Sequence, residues 1–166
     1  MPESARQPPI AYLERIAGQY RGLGHGDYRW VHAESPPEMT ALDKPLSECR
    51  VGLIATGGVY SKGQTAFGHR DDTSYRAIPA SVDKADLRAT HFAYDLADAR
   101  TDIDVVFPVS ALRRLEEDET IKELAPHLFT CMGGIYSQRR VREELGPALV
   151  ERCRVDEIDV VLLVPV

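Results

Sequence analysis

The chain has 166 residues, enough for one domain with a sizeable core and too few for two comfortable ones. Hydrophobic residues make up 43% and charged residues 28%, the balance of an ordinary soluble globular protein. The formal charge of −6 excludes a general binder of nucleic acid or of anionic membranes, because both need basic patches.

Other class signals are negative. Cys49, Cys131 and Cys153 are sparse and odd in number, with no Cys-x-x-Cys pair, which argues against a disulfide framework. The histidines His25, His32, His69, His91 and His127 show no metal-ligand spacing, so no metal is expected. No apolar run reaches membrane-spanning length, and the opening "MPESARQPP" has no apolar leader core. A cytoplasmic protein is expected.

In chain order, Pro8-Pro9 can open a helix whose Ile10, Leu13, Ala17 and Tyr20 share one face, closed by Gly22, Gly24 and Gly26. Residues 28–47 read as irregular, with Tyr28 and Trp30 as core cover or an interface patch. Residues 50–55 read as a buried strand ending at Thr56-Gly57-Gly58, and 57–79 as a long loop. Further strands are expected at 88–93, ending in "HFAYD", at 104–107, with Asp102 and Asp104 in the turn before it, and at 128–132, ending in Gly133-Gly134. Ser110 is the expected cap of a helix carrying Leu112 and Leu115, with Glu116 to Glu119 as its solvated end. Ser137 is the expected cap of a helix with Val141, Leu145 and Leu149 on one face, kinked or split at Pro147. A buried parallel strand at 159–164 follows.

Strands that alternate with helices and are apolar on both faces predict an α/β fold: three layers, a mostly parallel sheet with helices on both faces. One domain over 1–166 is expected, with 1–49 less regular and 50–166 as the core. Ligands of such sheets bind beyond the carboxyl ends of the strands. Thr56, Gly57, Gly58 and Tyr60 lie at one predicted end, and Gly133 and Gly134 at another. Together they would floor a pocket with backbone N–H groups suited to an anion. A tight turn is an equally good reading of each glycine pair. His91 is the acid/base candidate, beside Tyr94 and oriented by Asp95, unless it is a backbone-bonded core histidine. Arg76 either grips a substrate carboxylate or forms a surface ion pair with Asp71 or Asp72.

The segments "VGLIATGGVYSKGQTAF", "DTSYRAIP", "THFAYDLADARTDIDVVFPVSALRRL", "MGGIYS" and "VDEIDVVLLVPV" occur in matching order. In this the chain from 51 to 166 resembles the selenoprotein B family of glycine, sarcosine, betaine and D-proline reductases. The resemblance implies reductive cleavage of a C–N bond in a small amino acid or amine. It also implies a selenocysteine or cysteine nucleophile just after Val166, and a thiol or selenol protein as electron donor. On that reading the sequence stops short of the redox loop, and these 166 residues alone are expected to be inactive or badly impaired. Thr56, Gly57, Gly58, Gly133 and Gly134 would line the pocket, and His91 would donate a proton to the leaving amine. A homo-oligomer is expected, because a strand ending the chain tends to pair with another copy. Two other readings stand beside this one. Cys131 could serve a racemase or isomerase as nucleophile or base, although no second thiol lies at a predicted strand end. The chain could also be a non-catalytic binding or assembly module.

Overall fold

The computed structural model describes residues 11–26 and 31–166. The chain divides into two compact units, Met1–Thr40 and Ala41–Val166. The first contains helix α1 (Tyr12–Gly22). Gly24, at φ +79°, donates to the Arg21 carbonyl and His25 to the Tyr20 carbonyl, which closes the helix as a left-handed glycine cap. Leu13, on the expected apolar face, is exposed. Pro8, Pro9, Ile10, Tyr28 and Trp30 lie outside the described residues.

The second unit is built around strand β1 (Arg50–Ala55). After it come β2 (Val59–Ser61), β3 (Tyr75–Pro79), β4 (Leu87–Ala89) and helices α2 (Ala97–Thr101) and α3 (Val109–Glu117). Then follow β5 (Glu123–Leu124), β6 (His127–Cys131), α4 (Gln138–Arg140), a π turn, α5 (Gly146–Val155) and β7 (Val160–Val164). β7 lies parallel to β1, with Val51 opposite Val160 and Ala55 opposite Val164. The other side of β1 is taken by β5 at its start and β6 at its end, both parallel. β3 runs antiparallel on β6. β2 and β4 form a separate antiparallel ribbon. The sheet is therefore mixed but mostly parallel, and the fold is α/β.

Side chains alternate along each strand, so one sequence feeds two faces. Val51, Leu53, Ala55, Ile78 and Leu128 join Phe107, Val109 and Leu112 in one apolar cluster. Phe129 and Cys131 join Leu145 and Leu149 in another, with Ile54, Tyr75 and Ala77 packed against it. Leu53, Ile78, Phe107, Leu128 and Phe129 are completely buried, each contributing on the order of 1.5–3 kcal/mol of transfer free energy.

Several expected elements differ. Residues 57–79 contain β2 and β3, and their apolar periodicity is weak because β2 is only three residues and β3 is half-exposed. The strand expected at 88–93 stops at Ala89 and belongs to the ribbon, so "HFAYD" does not end a strand of the main sheet. Residues 103–105 form a 3-10 turn and no strand; Asp102 accepts from the Asp104 N–H and bends the chain there. Asp104, six residues upstream, accepts from the Ser110 N–H, so Asp104 supplies the cap of α3 that was expected from Ser110. Glu116 is tied down at the Leu124 N–H, 2.8 Å away. Ser137 does cap its helix, accepting from Arg140. Ahead of Pro147 that helix widens into a π turn, Val141–Leu145, with Gly146 donating to the Val141 carbonyl. β7 is half-exposed: it pairs only with β1 among the described residues, leaving Leu162 and Leu163 exposed.

Candidate functional site

The carboxyl ends of β1, β6 and β7 converge on Thr56. Its N–H donates to the Val164 carbonyl (3.0 Å), and its hydroxyl accepts from the Val166 N–H (2.9 Å). Its carbonyl accepts from the Gly133 N–H (2.8 Å). One side chain and one peptide thus hold the ends of β7 and β6 together. The Gly58 N–H donates to the Cys131 carbonyl (3.1 Å), and Gly57 faces Met132 as an isolated bridge. The two glycine pairs do meet. The N–H groups of Gly58 and Gly133 are spent on each other's segment and do not face a ligand.

What comes close to the glycines is this chain's own backbone. Gly58 sits at φ +66°, and a Cβ there would lie 2.0 Å from the Thr90 carbonyl oxygen. A Cβ on Gly133 would lie 2.8 Å from the Val166 carbonyl oxygen and 3.0 Å from Thr56 Oγ1. Strand β7 therefore delivers Val166 into a notch that only glycine leaves open.

The return from Gly58 to Thr90, whose N–H donates to the Gly58 carbonyl (3.0 Å), brings the "HFAYD" segment beside the same notch. Tyr94 donates its hydroxyl proton to the Gly57 carbonyl at 2.8 Å, and burial pushes its phenol upward. The Tyr94 ring lies 4.8 Å from the His91 ring. Phe92 stacks on His91 at 5.5 Å and 11°. Phe92 also faces Tyr136 at 6.3 Å and His69 at 6.0 Å.

His91 is 5% exposed. Its Nδ1 accepts from the Ala93 N–H at 3.0 Å, so the network puts the proton of the neutral ring on Nε2. Nε2 is buried and has no hydrogen-bond partner among the described residues. Burial, and then the nearby His69, hold the imidazole below its ordinary value of 6.5. Asp95 accepts from the Ala97 N–H and starts α2; the Ala93 N–H, not Asp95, is what the structure shows fixing His91.

Other candidates have other surroundings. Arg76 stacks over the Phe67 ring at 4.1 Å and donates to the Thr65 carbonyl (2.8 Å), Ser74 Oγ (2.8 Å) and the Tyr75 carbonyl (3.0 Å). Its guanidinium pins the 65–67 loop to β3. Cys131 is buried in the apolar cluster of Phe129 and Leu145, and desolvation pushes its thiol up to about 11. It is protonated at neutral pH and packs as a small apolar side chain. Tyr60 faces a different cleft, between the ribbon and α2.

The sequence reading considered Asp71 only as an ion-pair partner of Arg76 and missed its role as a clasp. At φ +47° its carboxylate accepts from the N–H groups of Tyr136 (2.7 Å) and Ser137 (3.0 Å). Arg140 donates to the Asp71 carbonyl and to Thr73 Oγ1 (2.8 Å). Together they clasp the 69–74 loop to the turn after Gly134. It also missed Phe92 as the ring over His91. Neither has a spacing signal, since both act across more than 30 residues of sequence or through a stack.

An α/β domain with its candidate site where parallel strands end is the class that fold and geometry define. Within that class, residues 33–166 match the family described as Glycine/sarcosine/betaine reductase selenoprotein B. The chain belongs to that family. It is 34% identical over 134 residues to the D-proline reductase subunit gamma of Acetoanaerobium sticklandii, covering 81% of this chain and 55% of that protein. It is 28% identical over 125 residues to the glycine reductase complex component B subunit gamma of Symbiobacterium thermophilum, covering 72% of this chain and 29% of the relative. It is 26% identical over 105 residues to the betaine reductase complex component B subunit beta of Peptoclostridium acidaminophilum, covering 58% and 23%. The chain thus spans little more than half of the first relative and less than a third of the others. No solved structure matches. Among the described residues, no helix is long and apolar enough to cross a membrane.

Proposed function

We propose that the chain is the part of a reductase component that presents a selenol or thiol to a small amino acid or amine. The redox residue directly follows Val166. The observation that carries this is the seat of Val166: its N–H is held by Thr56 Oγ1, and its carbonyl lies against Gly133. The residue after Val166 would begin beside Thr56, Gly57 and Gly133. The relatives' names support a place in a glycine, betaine or D-proline reductase complex.

In the proposed reaction the selenolate or thiolate forms a bond to the substrate carbon as its C–N bond breaks. The nitrogen leaves with the bonding pair and takes a proton. A thiolate of a partner protein then attacks the selenium or sulfur; the carbon leaves with the bonding pair and takes a proton, and a second thiol of that partner attacks the partner's sulfur in the mixed bond, which frees the nucleophile and leaves the partner as a disulfide. His91 serves this as a hydrogen-bond donor, not as the acid. Its neutral ring keeps its only proton on Nε2, and an uncharged imidazole N–H is far too weak an acid to protonate an amine. A buried donor with no acceptor is costly, by about 1–3 kcal/mol, unless something completes it. A carboxylate oxygen of the substrate does so here.

The decisive test is to read the coding sequence past the Val166 codon. A selenocysteine or cysteine codon in the next position is expected. Any other residue there, or an ordinary stop, overturns the redox reading and favours a binding module on the same scaffold.

A further inference from the structure

A cleft of about 640 Å3 lies between the β2–β4 ribbon and the α2 segment, lined by Tyr60, Lys84, Arg88, Arg100, Asp102 and Ile103 among others. It shares none of the strand-end residues Thr56, Gly58, His91 or Gly133. Its polar groups fall into two sets. Lys84 is already compensated, bridging Asp102 (3.1 Å) and Asp104. The two arginines are not. Arg88 uses a single nitrogen, Nη1, to donate to the Ala85 and Leu87 carbonyls, both at 2.7 Å. That double bond to backbone fixes the guanidinium and leaves its other N–H groups available. The Arg100 guanidinium and the Tyr60 hydroxyl have no partner among the described residues, although both border the cleft.

We propose that this cleft binds a small oxyanion, a carboxylate or phosphoryl group. Arg88 and Arg100 grip it and Tyr60 donates a third hydrogen bond. Two guanidiniums and a phenol are all donors in such a contact, and the fork geometry of arginine matches both oxyanions. Asp102 does not compete, because Lys84 holds it. The placement is also selective. In a chain with a formal charge of −6, two arginines without a carboxylate partner among the described residues border one cleft, which favours an anion there. The apolar floor, Leu87 and Ala99, is buried and lowers the local dielectric under the ion. This reading is independent of the redox reading, because neither site lends the other a residue.

The test is isothermal titration of the 166-residue chain at physiological salt, with inorganic phosphate and, separately, succinate as probes. Saturable one-site binding of at least one probe is expected. Arg100→Ala should weaken it roughly tenfold or more, the loss of one charge-assisted contact. Tyr60→Phe should weaken it less, about threefold to tenfold. Arg154→Ala, on the far end of α5, should leave it unchanged. Arg100 is exposed and has no partner among the described residues, so its loss should not unfold the chain. Binding of phosphate alone assigns the site to phosphoryl ligands, and binding of succinate alone to carboxylates. No saturable heat with either probe overturns the proposal. So does equal affinity in the parent and Arg100→Ala chains.

Discussion

His91 and Gly58 are single residues whose surroundings set measurable limits. At Gly58, alanine meets both a left-handed backbone and the Thr90 carbonyl at 2.0 Å, and a carbonyl cannot swing aside like a side chain. Gly58→Ala should lose more than about 2 kcal/mol in urea unfolding. Gly134→Ala makes a useful contrast. Its Cβ would meet the Phe92 ring at 2.3 Å, and a ring 38% exposed can rotate away. Little stability should go, while ring-current shifts in an NMR spectrum should report that Phe92 has left His91. His91 itself makes stability depend on pH. Its folded value lies below 6.5 because of burial and then His69, so between the two values the unfolded chain binds more protons. Stability should fall as pH drops through about 6.5, and level off once the folded ring titrates. His91→Asn keeps an acceptor for the Ala93 N–H and should flatten that part of the profile. A nitrogen-15 spectrum showing Nδ1 protonated in the neutral ring would remove the donor role.

Elements explain what the residues could and could not announce. β1, β6 and the parallel run of β7 were legible, because each is a compact apolar stretch feeding two buried faces or one central neighbour. The 3-10 turn Ile103–Val105 was not, although Ile103 and Val106 are buried as strand residues would be. Its cause is local: the Asp102 carboxylate accepts from the Asp104 N–H, and that one side chain competes successfully with the ladder. The cap of α3 was missed for the same reason, since Asp104 reaches it from outside the helix. Burial alone would raise the Asp104 carboxyl, but bonds from Lys84 and Ser110 outweigh it and bring the group below its ordinary value. Asp104→Ala should therefore destabilise the unit by about 1–2 kcal/mol near neutral pH. That difference is present above about pH 4 and is lost as pH falls through the lowered folded value. Urea midpoints across pH check both the size and the sign. Of the site, the meeting of the two glycine pairs was readable from their matching positions after strands. The spent N–H groups, the tautomer of His91 and the Asp71 clasp were not, because each depends on which partner arrives from far along the chain.

At the scale of the molecule, the family match over 33–166 and the α/β sheet agree on a scaffold that brings strand ends together. Among the described residues β7 pairs only with β1, which leaves its other edge unpaired, and Leu163 is 66% exposed. Edges of this kind pair with another strand. Light scattering of this chain across a concentration series should show self-association. A monomer at every concentration would remove the homo-oligomer expectation.

The π turn at Val141–Leu145 holds one residue more than an α-turn would, and it works as a phase setter. Upstream of it, Arg140 grips the Asp71 loop; downstream, Leu149 and Cys153 face the sheet. Winding the same residues as an ordinary α-helix would rotate one half against the other by about 100°. Either the clasp or the apolar seam could then be kept, not both. The wide turn, more than any one side chain, is what keeps the clasp and the seam in phase.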